Sequence, residues 1–502
     1  MSNTTVLPVL AADFYKLNHG PMYPEGTECV YSTWTARGNR IKGAEYGTVN
    51  FGLQAFIKEY LIDFFNEGFF KRDKQEVIDE YVRIIKHTIG GNVRTKHLEE
   101  LHDLGYLPLS IKALPEGTIT PFRCPSITIV NTDPRFFWLT NYIETLMSCQ
   151  LWQAGTSATI ANIYRKLLDT AAMKTVGNTN FVQFQGHDFS MRGMSSLESA
   201  TLSGMGHLLS FSGSDSICAI QGLEKWYGAD VTKELVGTSI PATEHSVQCS
   251  YNDDLSYIEH IITEVHPEGL ISVVSDGFDF WRVMTVILPQ LKDKIMARPG
   301  DMSKVVIRPD SGSPELILAG DPDATTEWER KGAVEVLWEL FRGTVNEKGY
   351  KVLDSHIGII YGDSITLKRA QQIAERLEAK GFASSNFVLG IGSYTYQYQT
   401  RDSFMSALKS TDVIIKGREI AIFKDPKTGD NFKKSQKGRV AVFQDGDSYR
   451  WVDGLAIGDK IDGEDQLKEV FRDGKLLIEQ SLAEIRARLA SAREKMPVPV
   501  VE

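Results

Sequence analysis

The sequence predicts an α/β protein: a barrel of βα units, a second discontinuous β-rich lobe and peripheral helices. Two observations point there. From about residue 180, short apolar runs alternate with helical stretches; the runs are "FVQFQGHDF", "ELVGTSIPATEHS", "GLISVVSDGFD", "KVVIRPDSG", "IGIIYGDS" and "NFVLGIGS". Continuous β-branched runs suit strands buried on both faces of a parallel sheet, and their alternation with helices suits βαβ units. The second observation is that strand-like stretches recur at both ends of the chain, outside this segment, as a lobe divided in sequence would require. A doubly wound open sheet is the alternative arrangement of the same units.

Taken in order, residues 1–150 form the first part of the β-rich lobe together with helices. "ECVYSTWTAR" is rich in β-branched and aromatic residues and reads as a strand. "FGLQAFIKEYLIDFF" and "QEVIDEYVRIIKH" carry apolar residues at helical spacing. "LSIKALPEGT" and "SITIVNTDP" read as strands closed by turns, and "FFWLTNYIETLMSCQLW" as a buried helix. Residues 151–393 are the barrel-like domain. Residues 394–502 return to strands in "DVIIKGREIAIFKD", "GRVAVFQDG" and "YRWVDG", then end in a helix, "LAEIRARLASAREK". No repeat of fixed period and no low-complexity segment interrupts this order.

Composition narrows the function classes. A net charge of -10 argues against a general nucleic-acid or anionic-membrane binder. The five cysteines, Cys29, Cys124, Cys149, Cys218 and Cys249, are scattered and form no CxxC. Reduced thiols in a cytoplasmic protein are therefore expected, not a disulfide frame or zinc site. Neither a secretory signal pattern nor a run of about 18 apolar residues is present.

Each apolar run stops at polar or glycine-rich residues: HD, TEHS, SD, RPDSG, GDS and GIGS. In a barrel these collect at the C-terminal ends of the strands. Asp276, Asp310 and Asp363 follow three of the runs. Singly, each reads as a helix N-cap; together, and beside Arg308, they suit Mg²⁺ and phosphate, since Mg²⁺ takes a few carboxylates plus substrate oxygens. The glycines of "YGDS" and "GIGS" offer backbone N–H groups at helix N-termini, or form tight βα turns. Neither stretch matches the phosphate-loop or GxGxxG patterns. Arg37, Arg192, Arg308, Arg401, Lys409 and Lys424 supply a basic pocket within an acidic chain. Phe189 is either core or a stacking platform for a flat ring. Asp215 is either a helix cap or an acceptor for a ligand amide. His245, in "GTSIPATEHS", is open to four readings: packed histidine, metal ligand, general base or nucleophile.

Ten segments, in order, carry a resemblance: "ADFYKLNH", "YSTWTARG", "GHDFSMRG", "GSDS", "SIPATEHS", "SVVSDGFD", "IRPDSGSP", "YGDS", "TRDSF" and "IFKDP". Over nearly its whole length the chain resembles the nicotinamide phosphoribosyltransferases. The resemblance implies an irregular α/β barrel with a second β-rich lobe, and homodimers with active sites shared between subunits. It implies transfer of the phosphoribosyl group of phosphoribosyl pyrophosphate to nicotinamide, giving nicotinamide mononucleotide and pyrophosphate for NAD salvage. By the same resemblance Phe189 stacks on the ring, Tyr15 of the other subunit covers its second face, and Asp215 accepts from the carboxamide. Ser272, Arg192 and Arg308 bind substrate, and Asp310 holds the ribose hydroxyls. Gly362, Asp363 and Gly392 form the ribose and phosphate loop. Arg37, Arg401, Lys409 and Lys424 line the pyrophosphate region, and Mg²⁺ and ATP are implied as cofactors. His245 matches the histidine that takes a phosphoryl group from ATP, oriented by Asp276. The chain departs from some members in having Ser393 and Tyr394 after Gly392, and Ala407 before Lys409.

The chemistry is consistent with that reading of His245. No second His or Cys lies at metal-ligand spacing, and a pyridine nitrogen has no proton for a general base to remove. A carboxylate on one imidazole nitrogen leaves the other free to attack phosphorus. Three rivals stand beside this function. Nicotinate phosphoribosyltransferase would set its acid substrate against the Asp215 carboxylate. A barrel hydrolase using two of the aspartates leaves the basic residues without a role, and a non-catalytic binding protein has no need of the full charged set.

Overall fold

The structure, a computed structural model, describes residues 6–300, 302–425 and 434–501. The chain divides into two compact units. One comprises Met1–Thr159, Gly222–Ala229 and Gln399–Lys495, the other Ile160–Gln221, Asp230–Tyr398 and Met496–Glu502. The exchange of the two short segments Gly222–Ala229 and Met496–Glu502 has no signature in the sequence.

The first unit is built on a seven-stranded antiparallel sheet. Its order is Arg418–Ala421, Ala407–Ile415, Thr27–Thr35, Pro125–Asn131, Leu109–Ala113, Lys468–Arg472 and Lys475–Leu476. Strands from the two ends of the chain thus interleave: Trp34 pairs with Leu408 on one side and with Ile127 on the other. The Thr27–Thr35 strand is buried at eight of nine positions, which suits its aromatic and β-branched residues. One core cluster joins Ile111 and Ile129 of the sheet to Val77, Tyr81, Leu98 and Leu101 of the helices Lys74–Thr88 and Lys96–Leu104. Asp73 caps the first of these helices by accepting from the N–H of Glu76.

One predicted helix is irregular. "FGLQAFIKEYLIDFF" forms a single α turn, Leu53–Phe56, followed by wider π turns over Ile57–Phe64 and Asn66–Phe70. Its buried residues Ile57, Leu61, Phe65 and Phe69 recur every four positions. A four-residue repeat drifts by roughly 40° per step on a 3.6-residue helix, and wider turns counter the drift.

The second unit holds a six-stranded, wholly parallel sheet. Its order is Gly213–Ser214, Gly186–Asp188, Val388–Ile391, Ile357–Tyr361, Val305–Arg308 and Ile271–Val274. Four of the predicted runs are strands here. "FVQFQGHDF" is split between a 3₁₀ turn, Val182–Phe184, and a short strand, Gly186–Asp188. "ELVGTSIPATEHS" forms no strand. It makes two isolated parallel bridges instead, Thr238 to Gly213 and Ala242 to Ser272. Pro241 lies between them and lacks the N–H that a continuous ladder needs; its carbonyl still accepts from Ser272 N–H at 2.9 Å. The Gly213–Ser214 and Ile271–Val274 strands lie at opposite edges of the sheet, so one segment reaching both means the sheet is curled. No helix among the described residues is long and apolar enough to cross a membrane. All five cysteines are free.

A buried charge group in the first unit yields a stability prediction. Asp412 is 1% exposed and its Oδ2 lacks a hydrogen-bond partner. Arg439 lies 3.6 Å from it and 3.0 Å from Glu419. Burial, and then the Glu419 carboxylate, push the Asp412 carboxyl up to about 7 against the pull of Arg439. A carboxyl whose folded pKa is raised binds more protons folded than unfolded, so its stabilising contribution is lost as pH rises from about 4 to about 7 and stays lost above. Asp412→Asn should therefore gain stability over wild type as pH rises, by roughly 1–2 kcal/mol at pH 8. Thermal unfolding from pH 5 to pH 8 measures this, and parallel Tm profiles would contradict it.

Candidate active site

The C-terminal ends of the parallel strands open on a cavity of about 880 Å³. Its lining brings together Phe189, Arg192, Asp215, Arg308, Asp310, Gly362, Asp363 and Gly392.

The centre is a chain of polar contacts between strand ends. Arg308 closes the Val305–Arg308 strand and donates from Nη2 to the Thr243 carbonyl at 2.8 Å. Its Nε is 3.6 Å from Asp310 Oδ2. The backbone N–H of Asp310 donates to Asp276 Oδ2 at 3.0 Å, and His245 Nε2 lies 3.1 Å from Asp276 Oδ1. The Asp276 side chain is only 4% exposed, while that of His245 is 49% exposed. Burial opposes the charge of Asp276, but hydrogen bonds from the Ser311 side chain, the Asp310 N–H and His245 outweigh it and hold its carboxyl below the ordinary value. Asp310 goes the other way: burial raises it, Arg308 opposes, and the Asp276 charge adds to the rise. Asp310 Oδ1 is buried without a partner. An acceptor left in that condition costs about 1–3 kcal/mol unless a ligand satisfies it.

None of the three aspartates is a helix cap. The neighbouring helices are capped by Asp279, which accepts from Arg282 N–H, and by Thr366, which accepts from Arg369 N–H. Asp363 instead accepts from the Ser364 hydroxyl at 2.7 Å. "YGDS" is also not a helix N-terminus, because Ile365 and Thr366 intervene before the helix Leu367–Ala379. The left-handed residue in this loop is Ser364, at φ 56°, with its carbonyl held by Arg369 Nη1 at 2.8 Å. Gly362 is there for close approach: a Cβ on it would sit 2.3 Å from Asp310 Oδ1. Gly392 does cap a short helix, Ser393–Tyr396, and a Cβ on it would meet no atom within 4 Å.

Phe189 also lines the cavity, and its N–H donates to Ile391 O at 3.0 Å; a Cβ on Gly362 would stand 3.6 Å from its ring. A Cβ on Gly390 would sit 2.4 Å from its ring. Asp215 Oδ1 accepts from Ser239 Oγ at 2.6 Å and lies 2.9 Å from His187 Nε2. Burial opposes the Asp215 charge, and the bonds from His187 and Ser239 overcome it, so the carboxyl stays below its ordinary value and is ionised at neutral pH.

The remaining predicted residues do not line this cavity. Ser272 lies in its strand, 4% exposed, with Oγ lacking a partner. Four cations gather in the first unit: Lys16, Arg37, Arg401 and Lys409. Burial lowers Lys409, Glu144 opposes this at 3.6 Å, and Arg37, Lys16 and Arg401 lower it further. Burial and Arg401 likewise lower Arg37, whose Nε donates to Met405 O at 2.9 Å. Tyr15 is 59% exposed, its ring edge-on to His19. Lys424 is exposed, with its backbone N–H donating to Ser435 Oγ at 2.9 Å. Among the described residues no cluster of three or more His, Cys, Asp or Glu could hold a metal by itself.

Sequence reasoning missed Ser239 and Lys16. Ser239 sits in an irregular segment with nothing to show that it faces Asp215. Lys16 is 5% exposed and paired with Glu144, and its only signal was its place in "ADFYKLNH".

Gly362→Ala should displace the Asp310 carboxylate. A shift of that size is expected to lower kcat/KM about tenfold to a hundredfold, with far-UV circular dichroism and Tm close to wild type. Unchanged kinetics would mean that Asp310 does not need its present position.

The pattern of the nicotinate phosphoribosyltransferase (NAPRTase) family matches residues 184–475. A nicotinamide phosphoribosyltransferase of Acinetobacter baylyi is 48% identical over 498 residues, covering 97% of this chain and 98% of the relative. One of Mycoplasma pneumoniae is 38% identical over 435 residues, covering 82% and 90%. The crystal structure of nicotinate-nucleotide pyrophosphorylase from Pyrococcus furiosus superposes with a TM-score of 0.58 at 16% identity, covering 99% of each chain, and so shares the fold. With these matches across nearly its full length, the chain belongs to the nicotinate phosphoribosyltransferase family, alongside members named nicotinamide phosphoribosyltransferase.

Proposed function

We infer that the protein transfers the phosphoribosyl group of phosphoribosyl pyrophosphate to nicotinamide, yielding nicotinamide mononucleotide and pyrophosphate in NAD salvage. The observation that carries the choice of base is the anionic Asp215 at the ring end of the cavity. A carboxylate accepts from a carboxamide NH₂, and a hydrogen bond to a charged group contributes about 1.5–3 kcal/mol. The same carboxylate repels nicotinic acid, which disfavours the nicotinate reading.

The other groups take roles that follow from their chemistry. Phe189 offers a face for the pyridine ring. The ring nitrogen is the nucleophile and needs no base, so alignment with the ribose carbon is the main requirement. The orphaned Oδ1 of Asp310 suits a ribose hydroxyl, which would donate to it. Gly392 leaves open space beside Gly362 and Asp363 for the ribose phosphate, with Arg192 and Arg308 as its cationic contacts. Ser272 has an unpartnered hydroxyl but is buried outside the cavity lining, so it takes no substrate contact in this reading. Arg37, Arg401, Lys409 and Lys424 neutralise charge growing on the departing pyrophosphate. Mg²⁺ fits as an ion held jointly by Asp363 or Asp310 and substrate oxygens, where it would supply charge stabilisation on the leaving group. The curled sheet with its bridging segment serves as an irregular barrel, and the free thiols suit the cytoplasm.

In this reading the protein is a homodimer in which Tyr15 and the basic cluster of one copy complete the cavity of the other. His245, with Nε2 on Asp276, presents Nδ1 for attack on the γ-phosphorus of ATP. The P–O bond to ADP breaks as the N–P bond forms, and the phosphohistidine stimulates transfer.

Mass spectrometry after incubation with phosphoribosyl pyrophosphate, Mg²⁺ and nicotinamide tests the reaction; nicotinamide mononucleotide is expected, and no product would refute it. γ-labelled ATP should leave an acid-labile, base-stable label on wild type that His245→Ala lacks, and a fully labelled variant would remove His245 from the role. Tyr15→Ala and Phe189→Ala homodimers should be poor enzymes, while each mixed dimer of the two variants regains one intact site in two. Failure to regain activity with subunit exchange verified would mean that each site comes from one chain.

A further inference from the structure

We propose that His187 is the positioning residue of a His187–Asp215 pair that decides between a carboxamide and a carboxylate on the ring: it holds Asp215 as an acceptor, and it becomes the cationic partner of an acid once Asp215 loses its charge. The proposal rests on the reading of the ring end given above and deepens it.

His187 is built into the sheet. It lies mid-way along the Gly186–Asp188 strand, paired with Gly390 on one side and Gly213 on the other. Its side chain is 12% exposed, against 49% for Asp215. Its ring is 4.7 Å from that of Phe189 at 48°. A Cβ on Gly213 would stand 2.8 Å from Nδ1, so the imidazole occupies space that only glycine leaves open. These contacts fix where Nε2 points.

His187 Nε2 is 2.9 Å from Asp215 Oδ1, and Ser239 Oγ donates to the same oxygen at 2.6 Å. A carboxylate can only accept, so Nε2 carries the proton. Both donors use Oδ1, which leaves Oδ2 to accept from the carboxamide NH₂. Rotation of the Asp215 carboxyl would break two hydrogen bonds at once, so the acceptor is preorganised. Among the charged and titratable groups around the pair, Arg308 acts on Asp215, and His207 interacts with His187 and with Asp188.

The second half of the proposal follows from charge. With Asp215 ionised, a carboxylate on the ring faces a carboxylate. With an amide at position 215, His187 keeps no anionic partner, and an incoming acid becomes that partner by drawing a proton onto the imidazole. Acceptance of nicotinic acid then depends on His187 and not only on the loss of repulsion.

The test is a set of variants assayed with both bases: Asp215→Asn, His187→Gln, His187→Ala, the Asp215→Asn/His187→Gln double variant, and Phe189→Ala. Gln keeps a donor and cannot become a cation. His187→Ala should raise KM for nicotinamide about tenfold, well beyond its effect on kcat, and His187→Gln should rescue most of that rise. Asp215→Asn should raise kcat/KM for nicotinic acid about tenfold, and the double variant should fall back to about the wild-type value. A double variant that keeps the gain, or a His187→Ala enzyme with wild-type KM, overturns the proposal. If Asp215→Asn and Phe189→Ala raise the KM for nicotinamide but the His187 variants do not, the ring site stands and the pair alone falls. If none of them moves that KM, the ring lies elsewhere and both fall. A Tm near wild type shows which variants remain folded.

Discussion

Asp276 is the contact on which the rest of the site depends. It is a nearly buried carboxylate at the end of the Ile271–Val274 strand. An ion in that position is costly unless hydrogen bonds replace its water. Three do so: the side chain of Ser311, the backbone N–H of Asp310, and His245. Two come from adjacent residues of one loop and the third from the segment that carries His245, so stabilising one charge ties that loop to His245. The Asp310 loop is placed by a main-chain bond, which leaves its side chain free for a ligand. The Tyr361 hydroxyl lies 2.8 Å from the Ser311 carbonyl and 3.0 Å from that of Gly312, and holds the same loop from the next strand.

From that hub the cavity is shaped by two glycines where the backbone must come close to a functional side chain. Gly362 lies against Asp310, and Gly390 against Phe189. The Phe189 ring and the Asp310 carboxylate therefore rest on the backbone of neighbouring segments and not on mobile side chains. Precision of that kind suits a reaction whose nucleophile is already active and whose barrier falls mainly through alignment and leaving-group charge. Two carboxyls of the cavity also differ electrostatically. Burial raises Asp310, whereas His187 and Ser239 keep Asp215 ionised. One carboxyl suits sugar hydroxyls and the other an amide.

Much of this was legible in the sequence, for a physical reason. The runs ending at Val274, Arg308, Tyr361 and Ile391 are β-branched and continuous because both faces of their strands are covered, and their polar stops mark the mouth. The elements that escaped lack such a signal. Gly213–Ser214 is a two-residue strand of turn-forming residues. The segment around Pro241 looks like a strand in composition but bridges the sheet at only two points. The π turns after Phe56 depend on packing of a four-residue repeat, which periodicity alone reads as an ordinary helix. Among site residues, Asp276 and Asp310 were visible as acids after apolar runs. Their opposite shifts depend on burial and on hydrogen bonds formed only in the folded chain. Ser239 and Lys16 gained meaning only through contacts with residues distant in sequence.

The central claim is that an anionic acceptor makes this a nicotinamide enzyme within a family named for nicotinate. The most direct measurement is competition in one tube, with wild-type protein, phosphoribosyl pyrophosphate, Mg²⁺ and equal concentrations of nicotinamide and nicotinic acid, and with the two mononucleotides separated and quantified at early times. The account predicts that nicotinamide mononucleotide forms in large excess. A product mixture dominated by nicotinate mononucleotide would contradict it.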